Sequence, residues 1–252
     1  MWTQRDVLRA GAAIIVIMTG WGLIRLLFPS LDYFPPESLV RDLERSWVVT
    51  AGIRKLVMAL YGTVAVVLIA VFFKAVQARW PGRGAAKGLV FGASVGGVWA
   101  LGFLSGWIFL ATTLREELKN IAVDSIPLAI AGLLIGLAVG RDVPDSGHRI
   151  PKPWLAVLLV TLGFVVIHAL GTTALAGLVG PAWSLLLVPT NPLQFALLAA
   201  VGLWAGGMYV ILRDWLPFEK TWARVAIFAF GIFGHCWTQF HLFIPIIEFA
   251  GI

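Results

Sequence analysis

The last apolar stretch of the chain, about 223–247, holds the side chains best suited to chemistry: His235, Cys236, Thr238, Gln239 and His241, with Glu248 just beyond. Residues of these types exchange protons, ligate metals or hold a polar solute. In hydrocarbon each costs a few kcal/mol unless it faces a protein interior or an aqueous cavity. At about 100° per residue, Gly231, Gly234, Thr238, His241, Pro245 and Glu248 share one helix face, and His235 and Gln239 share another. A carboxylate near His241 favours the charged imidazole, which suits a proton-coupled step near neutral pH. Pro245 removes one backbone hydrogen bond and is expected to kink the helix. The plainer alternative is that His235, Gln239 and His241 satisfy one another and neighbouring helices through hydrogen bonds.

His168 is a third histidine in an apolar run, within Phe164-Val165-Val166-Ile167-His168. Its expected partners are His235 or His241, near Gln239 or Thr238, across the fifth and seventh runs. A haem or metal would need such a convergence of histidines from separate helices. The sequence leaves cofactor and metal unknown. Asp124 opens the fourth run and reads as a first-turn acid, with an ion-pathway carboxylate as the alternative. Arg25 reads as snorkelling to the interface. Asn191 and Pro192 read as the cap and first residue of the sixth run, with Gln194 one turn in.

These residues need a bilayer-spanning frame. Of 252 residues, 60% are apolar and 13% charged, about half the charge of a water-soluble domain. The twelve tryptophans suit the membrane interface. Seven apolar runs, at about 9–28, 54–75, 88–112, 121–140, 154–179, 191–212 and 223–247, approach the length of a spanning helix. The first lacks a cleavage site and reads as a retained signal anchor. The expectation is one all-α domain, 1–252, a polytopic bundle of seven transmembrane helices. With the N-terminus on side one, that side takes twelve of the nineteen Lys and Arg and the other side seven. Such a bias predicts N-in, C-out in an inner membrane. The long outer connection is expected to form a short amphipathic helix at about 38–47 lying on the membrane.

Gly132, Gly136 and Gly140 make two GxxxG steps, and Gly92–Gly96 and Gly102–Gly106 make others. These predict close helix packing inside the bundle, with self-association as the alternative. Gly97-Val98-Trp99-Ala100-Leu101-Gly102 resembles Gly202-Leu203-Trp204-Ala205-Gly206-Gly207. Runs 2–4 and 5–7 could therefore form a 3+3 inverted repeat with run one added.

Enzyme patterns were sought in the same residues. Glu116-Glu117, Phe164-x-x-x-His168 and His235-x-x-x-Gln239 follow in order the glutamate pair and two histidine motifs of the CAAX-type intramembrane proteases. However, no arginine follows the glutamate pair at that family's offset, and an entire apolar run precedes His168. Gln239 also stands where the family has asparagine or aspartate, so no assignment follows. No HExxH, DxxxD, Walker or rhomboid-type pattern is present. The last run has no lysine for a retinal Schiff base. Cys236 is the sole cysteine, which excludes an intrachain disulfide. The charge of +6 lies in short loops, so the expected partner is the lipid bilayer, not nucleic acid. The leading expectation is transport or binding of a small solute or ion between helices five and seven, with enzyme activity not expected but left open. The alternatives are an accessory subunit with a membrane-complex or homo-oligomer partner, or an intramembrane enzyme or haem- or metal-bearing redox protein.

Overall fold

The computed structural model describes residues 2–28, 44–109, 112–144, 152–179, 188–237 and 249–250. Six helices within them are long and apolar enough to cross a membrane. They are α1 Gln4–Leu27, α2 Arg54–Gln77, α3 Gly84–Phe109, α4 Leu114–Val139, α5 Pro153–Val179 and α6 Pro192–Leu212. A further helix, α7, comprises Thr221–Ala226, a π-helical stretch Ile227–Phe233 and helical residues 234–237. The protein is an all-α polytopic membrane bundle.

Helix starts follow local chemistry. Thr3 and Asp6 cap α1 reciprocally: the Asp6 N–H donates to Thr3 Oγ1 at 3.1 Å and the Thr3 N–H to Asp6 Oδ2 at 3.0 Å. Asn191 and Gln194 do the same for α6, with Pro192 in the first turn, as the sequence predicts. The fourth helix differs from expectation. Thr113 caps it through the Glu116 N–H, so Leu114–Asn120 forms its first turns and the helix starts seven residues before the predicted 121. The expected amphipathic helix at 38–47 is also corrected where it can be seen. Its residues 38–43 lie outside the described ones, Glu44–Arg45 is a short strand (β1), and Ser46 caps a one-turn helix Trp47–Thr50.

The centre of the bundle is the pair α3 and α4. Gly84, Gly88, Gly92 and Gly96 recur every four residues on α3 and face Gly140, Gly136, Gly132 and Ser125 of α4. A methyl group at Gly136 would lie 2.6 Å from Gly84 O and 2.9 Å from Gly88 Cα. One at Gly132 would lie 2.6 Å from Gly92 Cα. The predicted glycine steps are thus close backbone contacts within one chain, the arrangement favoured where lipid supplies no hydrophobic drive between helices. Helix α1 lies against α4 and α2, with Ala10, Ile17 and Trp21 buried.

At the end of the bundle near the N-terminus, buried cations finish the helix ends. Lys74 Nζ reaches Asp6 Oδ2 at 3.0 Å and the terminal carbonyl of Val139 at 3.4 Å. Lys87 Nζ donates to the carbonyls of Gln77 and Trp80 at 2.8 and 2.7 Å. The carbonyls of Val139 and Gln77 end their helices, where the last turn leaves carbonyls without intrahelical donors, and a cation there also opposes the helix dipole.

The second half is joined differently. Helix α6 lays Gly202 and Gly206 against Thr161 and Val157 of α5, where added methyls would sit 2.9 and 2.8 Å from Cα atoms. It meets α3 through Trp204, whose Nε1 donates to Ser94 O at 2.8 Å. The two similar hexapeptides therefore pack differently: Gly97 faces Trp204, whereas Gly202 faces α5. In an inverted repeat, α3 on α4 would be matched by α6 on α7, but the glycine face of α6 is on α5. Among the described residues the two glycine faces therefore meet different neighbours.

Strand β1 pairs antiparallel with β2, Phe249–Ala250. Five described spans separate these strands. Placing both on one side of a bilayer takes an even number of crossings, which supports a seventh span through α7.

Candidate functional site

Asp124 is not a first-turn acid. It lies ten residues into α4, 4% exposed, within a π-helical turn, Ile121–Ser125. Asp124 Oδ1 accepts from Trp21 Nε1 and from Arg25 Nε, both at 2.9 Å, and Arg25 Nη2 donates to Oδ2. Arg25 therefore closes a two-pronged ion pair between α1 and α4 and does not snorkel. The geometry follows from spacing. Ile14, Ile17 and Trp21 line one face of α1, and Arg25 continues that face one turn later. The Trp21 indole also stands edge-on to Trp99 of α3, with ring centroids 6.2 Å apart.

The Asp124 face carries more polarity. Glu117, Asn120 and Asp124, spaced three and four apart, form one stripe. Glu117 is 0% exposed and Asn120 is buried. Thr112 Oγ1 donates to Glu117 Oε1 at 2.5 Å, and Asn120 Nδ2 lies 3.5 Å from Oε2. Ser125, next in sequence, lays its backbone carbonyl against Gly96, and its buried hydroxyl has no hydrogen-bond partner among the described residues. Sequence reading missed Glu117 and Asn120 because it placed them in a loop. The three-four spacing through Glu117, Asn120 and Asp124 was the available signal. Fifteen residues separate Asp124 from Val139 at the lysine-capped end, about 22 Å at 1.5 Å per residue. The stripe thus occupies the half of the bundle away from the N-terminus, while the glycine seam closes the near half.

A second centre joins α5 to α7. The His168 ring stacks on Phe164 at 5.5 Å and stands edge-on to Trp237 of α7 at 5.9 Å. Phe164 meets both Phe233 and Trp237 edge-on at 5.5 Å. His168 does face the seventh helix, as expected, and Trp237 meets it there. His235 takes another direction. It stacks on Phe72 of α2 at 5.3 Å, its Nδ1 meets Gly231 O, and its Nε2 lies 3.4 Å from Cys236 Sγ. Positions 235 and 237 are about 200° apart on a helix, so these rings face different neighbours. Thr238, Gln239, His241 and Glu248 lie outside the described residues. The expected pocket of His168, Gln239 and His241 is therefore only half in view. Among the described residues no three His, Cys, Asp or Glu side chains converge.

Both centres lie on helices with π-helical turns, which free backbone groups and recur at working sites. The chemistry of the two differs. The Asp124 carboxylate already takes three donors, so it acts as a fixed charge that ties α1 to α4. The α5–α7 join consists of ring faces and edges, whose contacts are weakly directional. Compared with family models, with curated proteins and with solved structures, the chain finds no match.

Proposed function

We propose that the protein binds and carries a small solute or ion, with α1–α4 as a fixed frame and α5–α7 as the element that moves. The observation that supports this reading is the unequal joining of the two parts. Glycine backbones, a buried ion pair and capped carbonyls hold α1–α4 together. By contrast, α5 is the least buried of the six long helices, at 11% of its span, and aromatic rings join it to α7. Packed elements that slide over one another while a rigid part stays still are the usual machinery of carriers. The solute would bind where the moving part meets the frame, with His168, His235, Gln239 and His241 as its polar groups. Glu248 completes the proposed set of ligand- or proton-binding residues, and Asp124, whose oxygens are taken by Trp21 and Arg25, stays with the fixed frame.

The test is reconstitution in liposomes. Solute-driven swelling and pyranine acidification would be followed as small carboxylates, amino acids and monovalent cations are offered in turn. Bridging Ser94→Cys of α3 to Trp204→Cys of α6, across the join between frame and moving part, with a short thiol cross-linker in a Cys236→Ala background, is expected to stop the response. Bridging Ala13→Cys to Ala138→Cys, within the frame, is expected to spare it. Flux that survives the first bridge, or a chain silent to every solute, would reject the carrier. A second reading, an accessory subunit, draws on the exposed apolar side of α5, with Leu159, Ile167 and Leu170 outermost. Co-purification of a stoichiometric membrane partner in mild detergent would favour it.

A further inference from the structure

We infer that the cleft between α1 and α4, in the half of the bundle near the N-terminus, binds one anionic phospholipid of that leaflet. Its phosphate would lie on Arg9 and an acyl chain along the groove. The cleft has a volume of about 340 Å³ and is walled by Ala12, Ala13 and Val16 of α1 and by Leu134, Leu137 and Ala138 of α4. Arg9, Ala12, Ala13 and Val16 fall at i, i+3, i+4 and i+7, so one face of α1 supplies both the cation and the aliphatic wall. The contact of Lys74 with Asp6 and the Val139 carbonyl ties the ends of α1, α2 and α4 at one level. Arg9 therefore sits about one turn inside that end, where a long cationic side chain reaches the headgroups.

Two observations select the occupant. First, the walls are aliphatic and open toward hydrocarbon. An empty groove there forfeits dispersion contacts, and a hydrophilic solute gains nothing from such walls. Second, Arg9 is exposed and has no hydrogen-bond or ion-pair partner among the described residues, whereas Lys74 and Lys87 nearby are both engaged. A planar guanidinium matches phosphate oxygens in a fork, and an anionic headgroup leaves no competing cation beside it. This side also holds the excess of basic residues, which draws anionic lipid to it.

The experiment uses the full-length chain, stripped of lipid in detergent and titrated with phosphatidylglycerol or phosphatidylcholine of identical acyl chains under native mass spectrometry. One phosphatidylglycerol is expected to saturate per chain, about fivefold tighter than phosphatidylcholine, the size of one basic side chain at an anionic surface. Arg9→Gln should bring phosphatidylglycerol to the phosphatidylcholine level. Ala12→Phe, which fills the groove, should weaken both lipids while leaving thermal unfolding in place. Equal binding of the two lipids, a preference that survives Arg9→Gln, uptake that never saturates, or a dimer in place of the lipid adduct would each overturn the site.

Discussion

Arg25 and Asp124 each look isolated in a hydropathy trace, yet they form a single unit. A charge stranded in hydrocarbon is expensive, whereas a forked pair with an indole donor meets most of that need internally. Breaking the unit should therefore hurt more than deleting it. Asp124→Leu is expected to destabilise by about 1–3 kcal/mol, because it leaves a half-buried guanidinium without its partner. Adding Arg25→Leu should recover most of that loss. Thermal unfolding of the single and double variants in one detergent measures it, and a double variant as weak as the single would show that the two charges act separately. This unit was only partly legible in the sequence. Asp124 stood out as an acid in an apolar run, but its partner lies 99 residues away in another helix. No local pattern encodes that meeting. Glu117 and Asn120 were legible by spacing and were hidden by drawing the helix boundary at the apolar residues.

The helices themselves were the clearest part of the text, since about twenty apolar residues in a row leave a chain few alternatives in lipid. Glycine periodicity also predicted which face of α4 would be approached closely. It did not name the partner, because Gly84 and Gly88 precede the steps that drew attention on α3. The contact now makes a quantitative statement. Gly136→Leu should cost about 1–3 kcal/mol by overpacking, since its side chain would drive into the backbone of Gly84 and Gly88. Gly163→Leu on α5, where an added methyl meets nothing within 4 Å, should change stability by less than about 0.5 kcal/mol. Equal melting of the two variants would show that the seam does not hold α3 to α4. The π-helical turns at Ile121–Ser125 and Ile227–Phe233 had no sequence signature. Each depends on how the whole helix fits its neighbours, not on a local propensity.

At the scale of the molecule, topology rests on two independent supports. Under the orientation proposed from the basic bias of the loops the N-terminus is cytoplasmic, and the pairing of Arg45 with Phe249 brings the chain's end to the side of the first long connection. Together they call for a C-terminus outside. An introduced Gly251→Cys, in a Cys236→Ala background, should react with a membrane-impermeant maleimide on intact cells. Protection until the cells are opened would reverse the orientation. The proposed division into a fixed frame and a moving part was not legible in composition, because every long helix is apolar and the reading draws on what lies at their contacts.

The distance along the chain between Arg25 and Asp124 also bears on how the protein is made. Ribosomes add roughly 5–20 residues per second, so the 99 residues between them take on the order of 5–20 s to emerge. Throughout that interval α1 has left the ribosome with a guanidinium whose counter-charge does not yet exist. The first helix must wait beside the insertion machinery, or keep Arg25 at the water boundary, until α4 arrives. The ion pair between α1 and α4 therefore closes only after α4 has emerged, which makes it a late contact in the assembly of the bundle.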